Sequence, residues 1–113
     1  MKPKDLAILV PYRNRAAHLK EFLPHMRSYL TTLEAMGQLT WSIHIIEQLG
    51  EQRFNRGKLL NCGFMLTRDQ ADYICLHDVD YLPIDADYRY VNRPTRLIWH
   101  GLTLQENYED FFS

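Results

Sequence analysis

The 113 residues carry 13 Lys and Arg against 14 Asp and Glu, a net charge of −1, with no long run of either sign. A chain this short holds one core and is small for an α/β enzyme, so it reads as one domain over residues 1–113. The charge balance does not point to an extended nucleic-acid groove or an anionic membrane surface, and no apolar run reaches the length of a signal-peptide core or a membrane span. The chain as given therefore reads as soluble.

Residues 6–10, Leu-Ala-Ile-Leu-Val, form an uninterrupted apolar run closed by Pro11, as expected of a strand buried on both faces of a parallel sheet. Arg13 and Arg15 follow at once, and Asn14 is placed to cap the next element. From Leu19, the apolar positions Phe22, Leu23, Met26, Tyr29, Leu30, Leu33 and Met36 recur at helical steps until Gly37. Pro24 falls inside that series, and a kink or two abutting helices is expected near Leu23. Residues 41–49 alternate, with Trp41, Ile43 and Ile45 on one face and Ser42 and His44 opposite, which predicts a second strand. Residues 54–69 predict a helix capped by Asn55, with Leu59, Leu60, Phe64 and Thr67 inward. Gly57 and Gly63 weaken that helix in isolation, so close packing or close ligand approach explains them. Residues 72–83 predict a third strand ending in acids and Pro83, and residues 96–99 a further short one. Cys62 and Cys75 both lie in apolar stretches and read as small buried hydrophobes, which leans toward a reducing compartment.

Strand, helix, strand, helix, strand is the order of a Rossmann-like α/β unit with a mostly parallel sheet, whose ligands gather at the carboxyl ends of the strands. Pro11 to Arg15, Glu47 to Gly50 and His77 to Asp80 should meet there. Asp78 and Asp80 are two residues apart, so at the end of an extended strand both carboxylates project to one side and can converge on a hard cation such as Mg²⁺ or Mn²⁺. Arg13, Arg15 and Arg56 could then hold the oxygens of a diphosphate or its nucleoside, an array suited to a sugar nucleotide. Plainer readings stand beside these. Asp-Val-Asp can simply open a turn, the arginines can be surface charges, and Phe54 can be a helix staple rather than a base-stacking ring. His77 and Val79 should face away from the acids, leaving His77 as a packed or hydrogen-bonded residue. His18, His25 and His44 show no metal spacing.

Three blocks, VPYRNR, FNRGKLLNCGF and HDVDYLP, resemble the β-1,4-galactosyltransferase family (glycosyltransferase family 7) in order and separation, and PHMRSYL with HDVDYLP resembles its xylose-directed branch. The resemblance implies a GT-A fold that binds UDP-galactose with Mn²⁺ and transfers the sugar, with inversion, to a carbohydrate acceptor. Carried over position by position, Pro11, Tyr12, Arg13 and Arg15 would line the UDP pocket. Phe54 and Arg56 would hold the uridine, Asp78 would contact the ribose or sugar, and Asp80 would bind the metal. Tyr12 stands where the family commonly has phenylalanine, which keeps the ring. The family's Gly-Gly segment and its W-G-W-G-x-E-D-D block, which supplies the acceptor site and base, have no counterpart here, so the chain reads as a truncated catalytic domain, inactive alone, with no catalytic base to name. Asp85, Asp87, Glu106, Glu109 and Asp110 read as solvated surface. A truncated sheet would bare an edge and apolar residues such as Leu97, Ile98, Trp99, Phe111 and Phe112, which invites self-association into a homo-oligomer. Animal members of the family are Golgi proteins behind a membrane anchor that this sequence does not carry; a microbial origin would make it cytoplasmic, and its compartment stays open. Two other readings share these residues: a nucleotide-sugar-binding module completed by a partner chain, and an assembly protein in which the motifs go unused.

Overall fold

The computed structural model describes residues 3–86, 88–90 and 98–103. The elements run β1 (Lys4–Tyr12), α1 (Ala16–Ala35), β2 (Leu39–Glu47), α2 (Arg56–Thr67), β3 (Tyr73–Leu76), β4 (Tyr81–Ala86) and β5 (Ile98–Thr103). Three of the strands form a parallel sheet in the order β2-β1-β3, and β4 pairs with β5 in a separate antiparallel ladder. The α/β class and the mostly parallel sheet are as the sequence predicts.

β1 is central because it is apolar at every position from Leu6 to Val10, each at most 1% exposed. Pleating sends alternate side chains to opposite faces. Leu6, Ile8 and Val10 meet Phe22, Met26 and Leu30 of α1 on one side, while Ala7 and Leu9 meet Leu60 of α2 on the other. A strand sandwiched in this way has no solvent face to make polar, which is why its sequence does not alternate.

Several expectations need correction. Pro24 does not divide α1, which is a single helix of 20 residues. The carbonyl that proline leaves without a donor belongs to Lys20, an exposed residue, where water can satisfy it. Asn14 is not the cap. That position falls to Arg15, which makes no side-chain cap bond, and Asn14 instead turns the chain at φ 52°, a left-handed conformation that asparagine tolerates. The strand expected at 72–83 is two strands, because the backbone turns at 78–81, where the Tyr81 N–H reaches the Asp78 carbonyl at 3.4 Å. The apolar continuity that suggested one strand persists because Val79 is buried within that turn and Leu82 just beyond it. Phe64, expected inward, is 44% exposed: Leu59, Leu60, Gly63 and Thr67 form the buried stripe of α2, and a further 100° of helical rotation carries Phe64 off it. On the same helix Cys62 is exposed, whereas Cys75 is buried as expected, its thiol pushed up to about 12 by burial. β2 begins and ends two residues earlier than the alternation suggested; β5 takes in residues 98 and 99 of the expected 96–99 strand, and residues 96 and 97 lie outside the described ones. Leu97, Asp87, Glu106, Glu109, Asp110, Phe111 and Phe112 lie outside the described residues.

Asn55 caps α2 as predicted, its Oδ1 accepting from the Lys58 N–H at 3.0 Å. Replacing it by alanine should lower stability by about 1 kcal/mol, measured as a shift in the urea midpoint with an unchanged slope.

Candidate functional site

The carboxyl ends of β1 and β3 and the amino end of α2 enclose an open cleft of about 630 Å³. Of the residues predicted for the site, Pro11, Arg13, Arg15, Phe54, Arg56, Asp78 and Asp80 line it, joined by Asn14, Arg53, Val79 and Tyr81. Tyr12 does not. It is half-buried against the core on the α1 side of the sheet, as strand alternation from Ile8 and Val10 requires.

One wall is cationic and aromatic. The Arg13 guanidinium lies over the Phe54 ring, 5.5 Å from its centroid, and donates through Nη1 to the Gln52 carbonyl. Phe54 is 37% exposed and lines the cleft beneath the Arg13 guanidinium. Arg56 donates from Nε to Asp78 Oδ1 at 3.0 Å, with both side chains about half in solvent. An ion pair that open contributes little to stability, below about 1 kcal/mol. Its effect here is geometric: it holds the Arg56 guanidinium and the Asp78 carboxylate side by side at the cleft mouth.

Gln48 sets the height of this wall, and sequence reasoning missed it. Its N–H donates to the Tyr12 carbonyl at 3.0 Å, extending the parallel ladder one step past β2. Its side-chain amide donates to the carbonyls of Gln52 (3.2 Å) and Arg53 (3.0 Å), while its Oε1 accepts from the Asn55 N–H at 2.7 Å. One glutamine thus closes the loop at residues 48–55 onto the end of β2 and delivers Phe54 and Arg56 to the cleft. The turn at Gly50, φ 89°, makes that closure possible. Nothing in the spacing of polar residues distinguishes this glutamine from an ordinary loop residue.

The opposite wall is the Asp78-Val79-Asp80 turn. Side chains alternate there as predicted: Val79 and His77 are buried, and the two acids face the cleft. Asp80 is half-buried, and its carboxyl is pushed above the ordinary value by burial and then by the nearby Asp78 charge, with His18 and Arg15 opposing. A carboxylate destabilised in this way gains from a nearby cation. Among the described residues no group of three metal-ligating side chains occurs. The donor set fits a hard divalent cation held through Asp80, with remaining oxygens drawn from a diphosphate and water. His18, in the first turn of α1, has a buried Nδ1 that lacks a hydrogen-bond partner among the described residues.

His77 is 2% exposed, and burial pushes its imidazole below the ordinary value. It is packed and hydrogen-bonded, as the alternation of the strand end implied. Among the described residues no helix is long and apolar enough to cross a membrane.

Arginines, an aromatic ring and paired acids stand together at the carboxyl edge of a parallel sheet, the edge at which Rossmann-like folds hold their ligands. The comparisons refine this. Residues 1–93 match the model for the N-terminal region of glycosyl transferase group 7, and the chain belongs to that family. Human beta-1,4-galactosyltransferase 7 is 40% identical over 88 residues, 78% of this chain and 26% of that protein. The crystal structure of the catalytic domain of Drosophila beta1,4galactosyltransferase 7 in complex with xylobiose is 38% identical, with a TM-score of 0.70, over 79% of this chain and 37% of that one. A mutant of the Drosophila protein in complex with manganese, UDP-Gal and xylobiose matches with the same TM-score of 0.70 and the same coverage. The chain spans about a quarter of the length of the curated relatives it matches.

Proposed function

We propose that this chain forms the donor-binding part of a β-1,4-galactosyltransferase, taking UDP-galactose with a divalent manganese ion for transfer to a carbohydrate acceptor. The observation that carries the reading is the convergence on one cleft of Arg13, Phe54 and Arg56 from one side and Asp78 and Asp80 from the other. In this reading Arg13 and Arg15 bind diphosphate oxygens, Phe54 and Arg56 hold the uridine, and Asp78 accepts from a ribose or sugar hydroxyl. Pro11 supplies an apolar floor, with Tyr12 behind it fixing the strand end. Asp80 would hold the metal, which when bound neutralises charge on the diphosphate as it leaves. Residues 1–113 act as one nucleotide-sugar-binding unit. Inverting transfer also needs a base for the acceptor hydroxyl, and no residue of this chain is assigned that role.

Base and diphosphate recognition can be separated. Phe54→Ala should weaken UDP by about tenfold, the scale of base–aromatic stacking, while leaving manganese-supported pyrophosphate binding within twofold. Calorimetric titration of both ligands checks this, and equal losses would mean that Phe54 only supports the Arg13 side chain.

A further inference from the structure

His77 sits between the end of β3 and the acidic turn, and nothing in the donor-binding reading uses it. Its backbone N–H donates to the Leu9 carbonyl at 3.0 Å, tying it to the central strand. Its side chain makes two hydrogen bonds, Nδ1 to the Asp78 carbonyl at 2.9 Å and Nε2 to the Tyr88 hydroxyl at 2.9 Å. A carbonyl can only accept, so Nδ1 carries the proton, and Nε2 must accept from the Tyr88 O–H. One tautomer satisfies both bonds.

The Asp78 carbonyl is also the group that closes the turn, and its bond from the Tyr81 N–H is long at 3.4 Å. The imidazole supplies a shorter second donor to the same oxygen. Tyr88 is itself fully buried, lies nearly parallel to the imidazole with centroids 6.2 Å apart, and accepts at its carbonyl from the Tyr73 hydroxyl of β3. Phe22 of α1 closes the other side, edge-on at 5.2 Å. The histidine is therefore held by β1, α1 and Tyr88 while it holds one backbone oxygen.

We propose that His77 and Tyr88 are positioning residues for the Asp78-Val79-Asp80 turn, the imidazole fixing the Asp78 carbonyl and the tyrosine fixing the imidazole, so that both carboxylates face the cleft in a set geometry. This inference rests on the donor-site reading for its consequence, and on the hydrogen bonds alone for its structural part.

Two measurements on the chain with His77→Phe, His77→Asn and Tyr88→Phe separate those parts. Amide hydrogen exchange at Tyr81 reads the turn with no ligand present. It should quicken about tenfold in His77→Phe relative to exchange elsewhere in the sheet, and return close to the unaltered rate in His77→Asn, whose amide places a donor where Nδ1 stands. Titration with UDP at saturating Mn²⁺ should show a loss of about tenfold in His77→Phe, the scale of lost ligand-orienting bonds. The loss should be smaller in Tyr88→Phe and partly restored in His77→Asn, with metal-free UDP binding falling by less than the metal-supported affinity in all three. Unchanged Tyr81 exchange in both His77→Phe and Tyr88→Phe, or an asparagine variant no better than the phenylalanine one, overturns the proposal. If His77→Phe fails to fold, Tyr88→Phe decides alone, since it removes a single oxygen. Altered exchange in a chain that shows no metal-supported UDP binding would instead contradict the donor-site reading and leave the turn assignment standing.

Discussion

Asp80→Ala should abolish the manganese dependence of UDP binding, weakening the metal-supported affinity by about 100-fold, or ~3 kcal/mol. Among the described acids Asp80 is the one that is both half-buried and raised in pKa, so it is where a bound cation gives most relief. The same substitution should not destabilise the metal-free chain at neutral pH. The folded-state value of Asp80 lies above its unfolded value, so the folded chain holds that proton more tightly. The associated stability is present in acid and lost as pH rises through the folded value. At neutral pH the ionised group is a burden, and removing it should leave stability unchanged or raise it by less than about 1 kcal/mol, given how much of the side chain is in water. Protons compete with the metal for the same oxygen. Metal-supported affinity should therefore fall off on acidification at a higher pH than the ordinary carboxylate value of 3.8 would give. Calorimetry across pH, paired with thermal unfolding of both proteins, checks each part. A variant that loses stability along with binding would make Asp80 a structural residue.

Gly63→Val should lower stability by about 2–3 kcal/mol and the Tm by about 10 °C or more. A Cβ at this position would stand 2.6 Å from Ile46 Cδ1 and 3.2 and 3.3 Å from the two methyls of Leu9. Ile46 can swing its chain end aside. Leu9 is fully buried between the sheet and α2 and has nowhere to go. Gly63→Ala meets the same neighbours with one carbon and gains about 1 kcal/mol of helix propensity, so it should stay within about 1 kcal/mol of the unaltered protein. Valine adds branches against Leu9 and lifts α2 from β1. Arg56 opens that helix, so displacement should also weaken UDP binding. Thermal unfolding of the two variants is the check, and equal stability would mean that α2 packs more loosely than the Gly63 contact implies.

How much of this was legible in the sequence depends on whether a residue acts through pattern or through a single contact. β1 was readable because a strand covered on both faces must be apolar throughout. α1 was readable because its buried residues recur at helical spacing. Asn55 could be placed from cap chemistry, Arg13, Arg15, Asp78 and Asp80 from their position after buried strands, and Arg56 from the family resemblance. Gln48 could not be found, since its role lies in three hydrogen bonds to a loop whose path no local pattern encodes. His77 was placed correctly as buried, but its purpose depends on Tyr88, eleven residues on. The single strand expected over 72–83 failed for a related reason: Val79 and Leu82 are buried in a turn and its exit, and burial keeps the hydrophobic run going where the backbone direction has changed. Phe64 and Cys62 failed because a helix with a glycine at its contact point offers no side chain to mark where the buried stripe runs.

The central claim is that the cleft between the Arg13–Phe54 wall and the acidic turn is a metal-assisted nucleotide site. Calorimetric titration of the unaltered chain with UDP, in the presence and absence of Mn²⁺, tests it most directly. The account predicts saturable binding with the metal and affinity about 100-fold weaker without it. Heats of dilution under both conditions, or the same affinity with and without Mn²⁺, would contradict it.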